Sequence, residues 1–98
     1  MKHTISVTVE NSSIRVDPDP LHMALEDEVE WAGRNARRFS IEFDDARAFG
    51  ARLGYAEATT KRRPRAKGIF KYTVVSEENP GLRLDPAVVV DPPPTPPG

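Results

Sequence analysis

Gly68-Ile69-Phe70-Lys71-Tyr72-Thr73-Val74-Val75 constrains the fold more than any other stretch. Phe70, Tyr72 and Val74 point one way, while Lys71, Thr73 and Val75 point the other. That period of two belongs to a strand with one buried face. Upstream, Ile5, Val7 and Val9 alternate with Thr4, Ser6, Thr8 and Glu10, giving a first strand rich in β-branched residues. Asn11-Ser12-Ser13 forms a turn, and Ile14 and Val16 form a short second strand. Asp17-Pro18-Asp19-Pro20 ends it, because proline removes a ladder donor and fixes the backbone. Leu21, Met23 and Leu25 then alternate with His22, Ala24 and Glu26. After the polar turn Glu26-Asp27-Glu28, Val29 and Trp31 face inward. Gly33-Arg34-Asn35 breaks that strand, and Phe39, Ile41 and Phe43 form the next.

Residues 44–67 follow a different pattern. Asp44-Asp45 is expected to cap a short helical turn through Phe49, since aspartate accepts from free amides at a helix start. Gly50 and Gly54 argue against a long helix, and 55–60 is expected to add a strand. Lys61-Arg62-Arg63-Pro64-Arg65-Ala66-Lys67 reads as an exposed loop, because charge so dense cannot be buried unpaired. Glu77-Glu78-Asn79-Pro80-Gly81 is a turn. Leu82, Leu84 and 87–90 supply a last strand, or a pair split by Asp85-Pro86. Seven or so short strands separated by turns predict an all-β, antiparallel Greek-key β-sandwich over 1–91, with a small barrel as the structural alternative. Residues 92–98 form a proline-rich tail, expected to be disordered or extended, with a P-x-x-P match in Pro93-Pro94-Thr95-Pro96. That match to polyproline-binding modules is nearly automatic in so proline-rich a stretch.

Three of these segments resemble the cupredoxin family, that of plastocyanin and azurin. Asp27-Glu28-Val29-Glu30-Trp31 is similar to the family's strand in which an aromatic follows a valine by two residues. Phe39-Ser40-Ile41-Glu42-Phe43 is a one-sided strand set shortly after a break. Gly68-Ile69-Phe70-Lys71-Tyr72 is similar to the family's glycine–aromatic–tyrosine strand, followed by a turn and a valine-rich strand. The resemblance covers roughly 5–90. It implies a copper site of two histidines, a cysteine and a weak axial methionine, chemistry suited to trigonal copper. The first histidine would fall close to Arg38 or Phe39, the cysteine near Val74, the second histidine near Glu77 and the methionine near Leu82. None of these residues is a ligand, and the chain has no cysteine. The resemblance therefore implies the fold without the electron-transfer site, and no cofactor is expected.

The same lack of cysteine excludes disulfide, zinc–thiolate and iron–sulfur chemistry. His3 and His22 are the only histidines. His22 reads as a solvated side chain on an outward strand face. His3 offers, with a free amino terminus, an amine, two amides and an imidazole, a square-planar set suited to Cu(II) or Ni(II). That makes His3 the metal-site candidate and copper or nickel handling the alternative function. No nucleophile–base pair or phosphate-cradling loop stands out, so an enzyme is not expected. Asp44-Asp45, the one paired-carboxylate candidate, is explained by capping.

Net charge is −1, yet residues 34–67 carry ten basic and four acidic side chains, against two and seven in residues 1–33. Arg34, Arg37, Arg38, Lys61, Arg62, Arg63, Arg65 and Lys67 are the candidate partner-binding residues. No aromatic interleaves with the basic run, so a protein partner is favoured over nucleic acid. With no apolar run of signal-peptide or bilayer length after the initiating methionine, no membrane partner is expected and the chain reads as soluble and cytoplasmic.

Overall fold

A computed structural model describes residues 1–35 and 37–91. The expected proline-rich tail lies outside the described residues. Among the described residues, nine strands and one short helix occur in the order β1 (Lys2–Val9), β2 (Ile14–Asp17), β3 (Leu21–Met23), β4 (Glu28–Gly33), β5 (Phe39–Phe43), β6 (Arg52–Leu53), α1 (Tyr55–Ala58), β7 (Gly68–Ser76), β8 (Arg83–Leu84) and β9 (Ala87–Val90). They form two sheets. One has the order β2-β1-β4, the other β3-β9-β7-β5-β6, with β8 paired to β7.

Both sheets are mixed, which corrects the expectation of purely antiparallel pairing. β1 pairs with β2 antiparallel and with β4 parallel, from Lys2↔Glu28 to Val7↔Gly33. The cause lies in the chain path. After β2 the segment Asp17–Pro20 carries the chain to the other sheet, where β3 lies parallel to β9. The chain then returns on the far side of β1 as β4. Such a detour through a second layer is how parallel neighbours are connected.

β7, the strand singled out by its alternation, holds the larger sheet together. Its first half pairs with β9, its second half with β8, and its opposite edge with β5, from Phe43↔Tyr72 to Phe39↔Ser76. Gly68 opens it at φ +144°, where a Cβ would also stand 3.3 Å from the Phe70 ring. Any other residue would be strained there.

The inward rows meet as predicted. Ile5, Val7, Val9, Val29 and Trp31 from one sheet pack against Phe39, Ile41, Phe70, Tyr72, Val74, Val88 and Val90 from the other. Trp31 is central, edge-on to Tyr72 (5.6 Å between ring centroids), Phe49 (5.7 Å) and Phe43 (6.2 Å). Such geometry sets positive ring edges against negative faces. Trp31 is fully buried, so truncation to alanine should cost about 3–5 kcal/mol.

Between residues 44 and 60 one local expectation holds and one fails. Asp45 caps a single helical turn: its Oδ1 accepts from the Arg47 amide (2.9 Å), and the turn closes from Gly50 N to Ala46 O (2.9 Å). Gly50 then leaves the turn at φ +98°. Residues 55–58, expected as a strand, form α1. Ala58 is its buried residue, while Ala56 and Glu57 are exposed. Alternation of small and polar residues over four positions fits one helical turn as well as a strand.

Candidate partner-binding surface

The eight candidate partner-binding residues fall into two groups along β4. Arg34 follows its last residue, Gly33, and Arg37 and Arg38 lie in the loop leading to β5. Arg62 pairs instead with Val29, near the start of β4. Val29 and Gly33 are four residues apart, about 13 Å along a strand.

At the Gly33 end the cations are largely engaged. Arg38 Nε donates to Glu77 Oε2 at 2.9 Å, and the Glu77 amide donates to the Arg38 carbonyl (3.2 Å). The Arg38 guanidinium lies over the Tyr55 ring, 4.8 Å from its centroid. Tyr55 in turn meets Phe39 edge-on at 5.2 Å, and its Oη would stand 3.6 Å from a Cβ built on Gly33. α1 therefore serves to seat Tyr55 beneath Arg38. Arg37 donates to Asn11 Oδ1 (3.3 Å), while Arg34 has no acid within 4 Å among the described residues.

This end also gathers the positions at which the resemblance would put copper ligands. Arg38 and Glu77 are bonded to each other, the Ser76 amide donates to the Leu82 carbonyl (3.2 Å), and Val74 pairs with Leu84. An ion pair and two apolar side chains offer no soft donor to copper. The residues present do not fit that metal. Among the described residues there is no cluster of three histidine, cysteine or acidic side chains able to hold a metal ion.

The second group is built differently, because its backbone is anchored and its side chains are not. Arg62 and Val29 exchange two backbone hydrogen bonds of 2.8 Å each. This bridge covers the β4 edge of the smaller sheet, which would otherwise offer unpaired amides and carbonyls. Pro64 is buried, and the Arg65 amide donates to the Ala48 carbonyl (2.7 Å). Lys61, Arg63, Arg65 and Lys67 all remain exposed. Of these only Arg63 has an acid within reach, Glu28 at 3.6 Å, among the described residues. Arg62 is half-buried and donates through Nε to the Glu57 carbonyl (2.9 Å).

His3 and His22 lie apart. His22 is exposed on β3, as expected. The His3 ring is partly buried and places Nε2 2.9 Å from Asp27 Oδ2. Asp27 also accepts from the Ala24 amide (3.0 Å) and the Met1 amine (3.1 Å). The Ala24 amide first, then His3 and the amine, hold the Asp27 carboxyl well below its ordinary range. An ionised carboxylate only accepts, so Nε2 carries the proton in this contact. His3 is also extended within β1, where successive amides point to opposite edges. Square-planar ligation by His3 would require the first three residues to leave that strand.

Sequence reading missed Tyr55, Glu77 and Asp27 as partners of the candidate residues. Each sits 17 or more positions from the side chain it engages, and only the pairing of strands brings them together.

No protein-family model and no curated protein matches the sequence. Solved structures do. A proline-to-glycine mutant of amicyanin, in its reduced Cu(I) form at pH 4, is 20% identical at a TM-score of 0.49, over 90% of this chain and 82% of that one. An oxidized methionine-to-leucine mutant of amicyanin is 23% identical at 0.48, over 89% and 81%. Amicyanin is a cupredoxin, the family resembled by the three strand motifs. A likeness at TM-scores below 0.5 carries no argument about a site. No helix among the described residues is long and apolar enough to cross a membrane.

Proposed function

We propose that this chain is a copper-free, cupredoxin-like interaction module that binds an acidic surface of a protein partner through residues 61–67. One observation carries the reading. Lys61, Arg63, Arg65 and Lys67 project from a backbone held at Arg62, Pro64 and Arg65, with a single acid within 4 Å of them among the described residues. A segment already fixed loses less conformational entropy on binding, which favours association. Exposed cations in excess of local acids favour an acidic partner and speed its encounter.

Binding rather than catalysis is part of the proposal. His3 is occupied with Asp27, and His22 is exposed on β3. The test is a capture from native lysate using three baits: the natural chain, a variant with Lys61, Arg63, Arg65 and Lys67 all changed to glutamine, and Arg34→Gln/Arg37→Gln. The reading expects an acidic protein retained by the first and third baits and lost from the second. Identical retention by all three overturns it. So does retention of an oligonucleotide in place of a protein, with the steep salt dependence of phosphate contacts.

A further inference from the structure

The outer face of the smaller sheet carries a second feature, independent of residues 61–67. A groove of 230 Å³ is lined by Ser6, Thr8, Arg15, Asp17 and Arg34. Its floor follows from strand register. Thr8 is opposite Arg15 on β2, and the β1–β4 ladder ends at Val7↔Gly33, so Arg34 leaves β4 beside Thr8. Strands lie about 4.8 Å apart. Thr8 therefore sits in a row between two arginines. One repeat along, the row is Asp17, Ser6 and Ala32. Ala32 has only a methyl group and leaves the β4 side of the groove open.

The donors in this groove are underused. Neither the Ser6 nor the Thr8 hydroxyl bonds to another side chain among the described residues. Among the described residues, the Arg15 guanidinium has one acid within 4 Å, Glu10 at 3.5 Å, and Arg34 has none. Arg15 and Arg34 both line the groove, and two guanidinium groups there favour an anion. Each presents five N–H donors, and the two hydroxyls add a third direction of approach. A planar carboxylate is satisfied by one guanidinium fork, whereas a tetrahedral oxyanion has acceptors for donors on three sides. Asp17 also lines the groove, on the next row beside Ser6.

We propose that Arg15, Thr8 and Arg34, with Ser6, form a binding site for a phosphate-type oxyanion. The test is a nitrogen-15 NMR titration of the full chain with inorganic phosphate, against sodium chloride at equal ionic strength. Saturable shifts are expected at Ser6, Thr8, Arg15 and Arg34, with affinity on the order of millimolar. Arg34→Gln should weaken binding about fivefold or more, by loss of a charge-assisted contact. Thr8→Val keeps a β-branched residue in the strand, so it should weaken binding with the fold intact. Changing Lys61 and Arg63 to glutamine should leave the titration unaltered. An acetylated, amidated phosphoserine separates the sources: tighter binding than inorganic phosphate assigns the site to a phosphorylated side chain, and weaker binding to free phosphate. Shifts that never saturate, that spread over residues 61–67, or that survive both Arg34→Gln and Thr8→Val overturn the proposal.

Discussion

The two ends of β4 hold cations of the same kind in opposite ways. At the Gly33 end, Arg38 is spent on Glu77 and on the Tyr55 ring. At the Val29 end, the backbone of Arg62 is spent on strand pairing, while Lys61, Arg65 and Lys67 keep their charge free among the described residues. Charge density along a sequence therefore does not locate an interface. What matters is whether the fold satisfies the side chain or only the backbone beneath it. A satisfied cation must give up a partner before it can bind, whereas a free one gives up only water.

That contrast is sharpest where an ionised group has been most fully recruited, at Asp27. Among changes to charged and polar groups, Asp27→Asn should produce the largest loss, a fall in Tm on the order of 5 °C at neutral pH by thermal denaturation. The pH dependence follows from the depressed pKa. A carboxyl whose folded value lies below its ordinary 3.8 stabilises the protein above that pH and loses the contribution as pH falls further. The natural chain should weaken below about pH 4, and the variant less steeply. Equal slopes would remove Asp27 from its structural role.

Tyr72→Phe tests the core that both ends share. Tyr72 Oη and Trp31 Nε1 are buried close together without reaching hydrogen-bond geometry. Burial pushes the Tyr72 phenol far up, so it stays protonated at any physiological pH. Deleting the hydroxyl should leave stability unchanged or raise it by about 1 kcal/mol, read from urea midpoints. A clear loss would mean that the hydroxyl has a partner.

Arg38→Met should lower stability slightly, with most of the difference gone in about 1 M salt, because the Arg38–Glu77 pair is largely exposed. A loss that salt leaves intact would place the contribution in stacking on Tyr55. The smallest effect belongs to the glutamine variant at Lys61, Arg63, Arg65 and Lys67, within about 0.5 kcal/mol of the natural chain. If that variant were strongly destabilised, these residues would be structural like Arg38, and the contrast between the two ends would collapse.

Much of the fold was legible in the chain. Alternation in β1, β4, β5 and β7 named the inward rows, and Asp85-Pro86 marked the break between β8 and β9. Side-chain direction in a strand depends only on neighbours two residues apart, so sequence carries it. The apolar run through Val74 and Val75 and the absence of cysteine likewise settled that the implied copper site could not exist. Residues 55–58 were misread because four positions are too few to separate helix from strand. Parallel pairing of β1 with β4 was invisible, since partner choice depends on which sheet the chain visits between them. That Arg38 is engaged while Lys61, Arg65 and Lys67 are free among the described residues came only with tertiary structure, because Glu77 and Tyr55 reach Arg38 from distant parts of the chain. Composition determined how much charge this protein carries; the pairing of its strands decided which of that charge is left to act.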